Sequence, residues 1–347
     1  MSQTVATADD LDAVNALFYE QGWTDGLPII PPTRERVERM VAGCGRPGDA
    51  LVGRIPPKWG EATVERIAVN AVMAGCRPEH LPVVLAAVEA LLDDRVNLHG
   101  VQCTTHVTTP LIVVNGPIGR RLGINGGPNC FGQGWIANAA IGRAVRLILV
   151  NLGGARPGRI DKATFGHPGK YTYCVAENEA DSPWEPFHVE QGYGPDESAV
   201  AVFAAEAPHN INNHSFQPYR LLDAVAGTMT TLGANNFYVM GDYVLVLGVD
   251  HARILDQAGW KRRHVQRYLF ERARLPVGRL KFGGMYGEHV ERNLWPRWVE
   301  REDEASLVPP VREPEDIKIF VAGGPGPHSL VIPGWGTRAV TRRIETE

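Results

Sequence analysis

Leu111-Ile112-Val113-Val114, the glycine-dense run from Asn115 to Gly134, and the pattern from Trp135 to Val150 closed by Gly153-Gly154 together decide the fold class. The apolar quartet suits a buried strand. Ile136, Ala139, Ala140, Val145, Leu147, Ile148 and Val150 then form a helical pattern. A strand, a glycine-rich loop and a helix in that order aim free backbone N–H groups and the positive helix end at one place, which suits an anion. Cys130 sits in that loop. Neither G-x-G-x-x-G nor the phosphate-loop pattern ending in Gly-Lys-Ser/Thr occurs there, so the stretch carries no nucleotide fingerprint.

Toward the N-terminus the spacing predicts helices. One runs over residues 7–21 with Thr7 as cap, one from Thr33 to Gly43, one from Thr63 to Ala74, and one from Pro78 to Asp93-Asp94. Residues 1–95 are therefore expected to be a helical region and residues 96–347 an α/β catalytic region packed with it. Strands are predicted over Leu98–Thr105, Leu111–Val114, Tyr171–Ala176, Ala199–Ala205, Tyr243–Gly248 and Ile317–Ala322. Helices are predicted over Pro218–Leu232, Ala252–Gln257 (capped by Asp250) and Lys261–Arg274, and the charged, proline-rich run Arg297–Asp316 reads as a surface excursion. Some crossovers contain a helix and others are short. The expected fold is α/β, or α+β, with a mixed sheet flanked by helices.

At 347 residues the chain can bury a large core, and 44% hydrophobic with 21% charged residues is ordinary for a globular protein. A net charge of -4 without a Lys/Arg cluster argues against nucleic acid as a partner. The apolar run Ala139–Leu152 is interrupted by Arg143 and Arg146, so no membrane span is expected. The polar, acidic Met1–Asp10 predicts no secretion signal and a cytoplasmic location. Five cysteines without a C-x-x-C are expected as free thiols in a reducing compartment. No repeat of solenoid or propeller period is visible.

Several segments carry candidate chemistry. Cys130, just ahead of the helix, sits where a helix N-terminus favours a thiolate; as a packing residue it would simply fill a turn. Cys103 and His106 point to opposite faces of an extended chain but would pair as thiol and base in a turn. Gln102, Thr104, Thr105, Thr108 and Thr109 beside them suggest the wall of a polar cavity. His167 and Lys170 bracket a turn and would hold a carboxylate or exchange protons. Gly126, Gly127, Asn129 and Gly132 would contact substrate through the loop backbone. His209 and His214, with Glu177, would make a nitrogen and oxygen metal site, although their spacing matches no standard zinc pattern; the alternative is a hydrogen-bonded loop. Cys44, Cys76 and Cys174 read as packing residues, and the absence of G-x-S-x-G argues against a serine hydrolase.

Gly22-Trp23-Thr24-Asp25-Gly26-Leu27-Pro28 with Pro31-Pro32-Thr33, Asn70 to Pro78, Thr164 to Glu179 and Ser182 to Pro186 together resemble signatures of a poorly characterised bacterial family. That family is related to, or acts beside, the UGSC selenoproteins and their cysteine forms, which resemble the B component of glycine and proline reductases. The chain has no Cys-Gly-Ser-Cys, and its Cys44-Gly45 pair continues as Arg46-Pro47. The resemblance therefore implies a companion subunit or a relative with different chemistry, and a redox or selenoprotein subunit as partner.

The expectation is an enzyme for a small anionic organic molecule, by thiol-dependent reduction or thiol transfer, with Cys130 as thiolate and His106 or His167 moving protons. A metal-dependent lyase or hydratase using a divalent ion is the alternative, and a non-catalytic scaffold subunit a third. An enzyme of this size is commonly a homo-oligomer.

Overall fold

The computed structural model describes residue 5 and residues 10–282 and 299–345. Thr7, expected as a cap, lies outside them, as does the start of the excursion at Arg297. Twelve strands are present among the described residues: β1 (Leu51–Ile55), β2 (Gly60–Thr63), β3 (Thr109–Asn115), β4 (Cys174–Ala176), β5 (Ala199–Ala205), β6 (His209–Asn212), β7 (Tyr243–Leu247), β8 (Leu275–Pro276), β9 (Leu307–Val308), β10 (Ile317–Val321), β11 (His328–Ile332) and β12 (Val340–Arg343). The chain is mixed α/β, with two mixed four-stranded sheets packed against helices.

Two compact units emerge. The first is Met1–Glu177, His188–Phe203 and Ala339–Glu347; the second is Asn178–Phe187 and Ala204–Arg338. The expected boundary near residue 95 falls inside the first. Its core draws on the N-terminal helices, the sheet and the C-terminal strand together, through Val84, Ile112, Ile148, Val202 and Ile344. The N-terminal helices cannot bury their apolar faces without that sheet.

In the first unit the sheet order is β12-β5-β3-β4. Strands β3 and β4 are parallel, with Ile112 opposite Cys174 and Val114 opposite Ala176, and their connection contains the helix Ile136–Asn151. That helix covers Trp135 to Val150 as read, within a residue at each end. All seven residues of β3 are buried, as a strand covered on both faces must be.

Several expectations need correction. Leu98–Thr105 is not a strand: a helix spans Leu98–Cys103, because the Asn97 side chain accepts from Gly100 N–H and caps it. Leu98, Val101 and Gln102 are the buried positions, a helical face and not an alternation. The loop after β3 contains a short helix, Pro117–Leu122, started by proline and stopped by Gly123. The β1–β2 hairpin interrupts the helical N-terminal region, its strands masked in sequence by Gly53, Pro56, Pro57 and Gly60. The helix expected over Ala252–Gln257 starts at Val249 with Gly248 as its cap. Asp250 instead accepts from Gly326 N–H at 2.8 Å.

The second sheet has the order β10-β7-β11-β6 and repeats the plan of the first. It too is built on a parallel pair, β7 and β10, with helices Val249–Gln257 and Arg262–Arg272 in the connection. In each half the inner strand ends on a glycine that caps a helix, Gly116 or Gly248. A Cβ on either would press into a backbone carbonyl, that of Glu197 or of His328. The residue after that carbonyl is a serine whose hydroxyl accepts a backbone N–H at the start of the capped helix. Ser198 takes Ile118 N–H at 3.1 Å, and Ser329 takes Gly248 N–H at 3.1 Å. The strand that follows then leaves for the other sheet: β6 pairs antiparallel with β11, and β12 pairs antiparallel with β5. One half-sheet is thus present twice, with its last strands exchanged.

Candidate functional site

The helix Ile136–Asn151 is buried along most of its length, yet Arg143 and Arg146 sit within it. Burying a guanidinium costs free energy unless it is paired. Arg143 is paired. It donates to both Asp25 oxygens at 2.8 and 2.9 Å and to the carbonyls of Leu27 and Pro28. Burial pushes the Asp25 carboxyl up, but hydrogen bonds and charge from Arg143, with Leu27 N–H and the Thr24 hydroxyl, more than reverse this and hold it below the usual range. Asn151 adds a bond from Nδ2 to Trp23 O at 2.9 Å. The Gly22–Pro28 segment is therefore a clamp on this helix.

Arg146 has no such carboxylate. It is 8% exposed and donates from Nε to Lys170 O at 2.9 Å and from Nη2 to Thr109 Oγ1 at 2.6 Å. Its Nη1 has no hydrogen-bond partner among the described residues. Lys170 lies against Asp161, with Nζ at 2.9 and 2.7 Å from the two carboxylate oxygens. Burial lowers the Lys170 amine, Asp161 offsets this, and the neighbouring Arg146 charge adds to the lowering. Burial likewise lowers Arg146, while Asp161 and Asp25 act in the opposite sense. A buried and a half-buried cation are neighbours here, and the one close carboxylate, Asp161, lies on Lys170.

Cys103, half-buried at the end of its helix, belongs to this group. Burial first, and then the Asp161 charge, push its thiol up. The segment after it is tied to the loop carrying Asp161 by Thr164 N–H to Thr105 O at 2.9 Å. His106 Nδ1 accepts from Thr108 N–H, and His167 Nδ1 from Gly169 N–H, at 3.2 and 3.1 Å. Each neutral ring therefore carries its proton on Nε2. Thr108 Oγ1 is buried without a hydrogen-bond partner among the described residues. Of the polar wall predicted from Cys103 to Thr109, Thr109 meets Arg146 directly and Thr105 is tied through its carbonyl to the loop that carries Asp161.

The glycine-rich loop is organised differently from expectation. Asn138 holds it, accepting from Asn125 N–H at 2.7 Å and donating to the carbonyls of Asn125, Cys130 and Cys174. Gly127 N–H is used by Asn125 Oδ1, and Gly132 N–H by Asn129 O, both at 2.8 Å. Asn129 takes a positive φ and donates to Gln133 O, and Gly126 lies too close to the Ala176 carbonyl for any side chain. Cys130 is 5% exposed. Phe131, Tyr173 and His167 stack edge to face beside it, joining the loop to the His167 turn. Cys174 is buried, which pushes its thiol up to about 12, in keeping with a packing residue.

The expected metal site does not assemble. Among the described residues no group of three or more His, Cys, Asp or Glu side chains is arranged to hold an ion. Glu177 accepts from Asn115 Nδ2 at 2.6 Å in the first unit. His209 stands on the exposed face of the edge strand β6, and His214 follows in the loop after it, both in the second unit.

The second unit has a buried polar pair of its own, His251 and Ser329. His251 Nε2 lies 2.9 Å from Asn213 O, which can only accept, so Nδ1, at 2.7 Å from Ser329 Oγ, receives the serine proton in the neutral ring. Both side chains are at most 2% exposed, and Ser329 has the backbone role that Ser198 has in the first half. This pair fastens the strand to the helix.

Sequence reading named Lys170, Cys103, His106 and Thr109 but passed over Arg146 and Asp161. The signal for Arg146 was available: an arginine inside an apolar helical run needs a buried partner or a ligand. Asp161 stands in a loop and offered none. Among the described residues no helix is long and apolar enough to cross a membrane. No model of a known protein family matches the chain, and no curated protein sequence matches it.

Proposed function

We propose that the chain is an enzyme for a small organic anion, bound in the first unit by Arg146 and Lys170. Its chemistry is thiol-dependent reduction or thiol transfer, with Cys103 as the thiol. The observation that carries this reading is Arg146: a buried guanidinium with a donor to spare and no carboxylate on it. A ligand anion would supply the missing charge in a setting of low dielectric, where the attraction is strong. Cys103 is the candidate thiol because it ends the helix Leu98–Cys103, and the segment after it is tied to the loop that carries Asp161 through Thr164 N–H to Thr105 O. Burial and the Asp161 charge keep it protonated at neutral pH, so its proton must leave as sulfur attacks. His106, three residues on, has its one lone pair on Nδ1, so it would receive the proton there in exchange for the Thr108 N–H bond.

The test is turnover. The purified protein is incubated with a panel of small carboxylates and sulfonates plus dithiothreitol, and products are followed by mass spectrometry. Conversion that disappears in Cys103→Ser and in Arg146→Met is expected. Conversion lost in Cys130→Ser but kept in Cys103→Ser would move the thiol to the glycine-rich loop. Conversion kept in both would end the thiol reading.

A further inference from the structure

The two halves of the chain allow an internal comparison at the same end of the same strand pair. In the first half, the amino ends of β3 and β4 carry Thr109 and the turn before β4, where Arg146 and Lys170 meet. In the second half, the amino ends of β7 and β10 carry Asp242 and Asp316, 5% and 4% exposed. There Arg338 Nη1 donates to Asp242 Oδ1 at 3.1 Å and also to Asp316, and Lys318 Nζ stands 3.9 Å from Asp242 Oδ2. The helix in that crossover offers the neutral Gln266 at this end, donating to Ile317 O at 3.0 Å, while its buried arginine, Arg262, donates to Glu185 O at 2.8 Å. The half-buried cations at this end of the second sheet thus meet two buried carboxylates from the chain itself. Their counterparts in the first sheet meet one.

We propose that the first half receives its second carboxylate from the ligand, so that the Arg146 site is built for a monocarboxylate. The proposal rests on the reading of Arg146 and Lys170 as an anion site and narrows the anion to one class. Charge supports the choice: Arg146 and Lys170 against Asp161 leave one positive charge, which a monoanion cancels and a phosphate dianion overshoots. Donor number supports it too. Arg146 Nη1 is open, and the Lys170 ammonium has three N–H groups of which the two Asp161 oxygens engage two. One donor from each cation matches the two oxygens of a carboxylate.

The second half also supplies the perturbation. Thr109 Oγ1 lies 2.6 Å from Arg146 Nη2, so Thr109→Asp would place a carboxylate on the guanidinium as Asp242 does on Arg338. Thermal midpoints of the full-length protein are recorded with acetate, propionate, acetamide, phosphate, sulfate and malonate at matched ionic strength. Binding to the folded state stabilises it by RT ln(1 + c/Kd) at free ligand concentration c, so the midpoint rises with ligand concentration. Acetate and propionate are expected to raise it and acetamide to leave it unchanged. Thr109→Asp and Arg146→Met are expected to weaken the monocarboxylate response about 30-fold or more, as loss of a buried charged contact does. The ligand-free Thr109→Asp protein is expected to melt at or above the parent, which separates loss of binding from loss of folding. If phosphate, sulfate or malonate stabilises more than acetate and the response still needs Arg146, the anion site stands and the monocarboxylate assignment is wrong. If no anion stabilises the parent, or Arg146→Met responds like the parent, the site itself is wrong.

Discussion

Replacing Asp25 by Asn removes the charge that Arg143 answers while keeping nearly the same shape. The two side chains are 4% and 15% exposed and joined by two short hydrogen bonds, so the pair is buried and bidentate. Breaking a buried pair by removing one partner costs about 3–5 kcal/mol, because the other charge is stranded. Arg143 keeps its bonds to the Leu27 and Pro28 carbonyls, which places the cost near the lower end, about 3 kcal/mol. At about 2–4 °C per kcal/mol for a unit of this size, the midpoint falls by about 6–12 °C in a thermal melt at neutral pH. The double variant Asp25→Asn with Arg143→Met no longer strands a guanidinium and is expected to recover a good part of that loss. An Asp25→Asn protein that melts with the parent would show that the Gly22–Pro28 segment does not clamp the helix. So would a double variant whose loss is the sum of the two single losses.

Further outcomes follow from the same physics. His80 and His251 are both lowered, by burial first, so below about pH 6.5 the unfolded chain takes up protons that the folded chain refuses. Stability should therefore fall as pH drops through about 6.5 toward their folded values, and melts at about pH 8 and pH 5.5 that coincide would contradict this. Ser198→Ala and Ser329→Ala each strand a backbone N–H at a helix start, a loss of about 1–3 kcal/mol in urea unfolding. Ser329→Ala should be the larger, since His251 Nδ1 loses its donor as well; the reverse order would undo the tautomer drawn for His251.

Much of the fold was legible because burial leaves a periodic trace. The runs Leu111–Val114 and Ala199–Ala205 are apolar throughout, Ile317–Ala322 is so except at Lys318, and the structure makes strands of all three, buried except at Lys318. The helix from Trp135 was legible for the same reason. Leu98–Thr105 misled because so short a run does not separate a helical face from an alternation, and the deciding signal was the Asn97 cap outside it. The duplicated plan was invisible, since the halves share backbone contacts at Gly116, Ser198, Gly248 and Ser329 and not a run of side chains. The candidate site was half legible. Thr109, Lys170 and Cys103 stood in polar segments that invited attention, whereas Arg146 was read only as an interruption of an apolar run. Loop residues such as Asp161 meet their partners through tertiary packing, which spacing does not reveal.

Alkylation of Cys103 tests the central claim most directly. Iodoacetate and iodoacetamide both form the same S–C bond and expel iodide, but only the first carries a carboxylate. The ratio of their rates at Cys103, followed by peptide mass spectrometry, is compared between the folded protein and the urea-unfolded chain. A carboxylate seated on Arg146 and Lys170 should raise that ratio in the folded protein by about tenfold or more, worth about 1.4 kcal/mol of preferential binding. The gain should saturate with iodoacetate, yield to acetate, and vanish in Arg146→Met. A folded-state ratio equal to or below that of the unfolded chain would contradict an anion site beside this thiol.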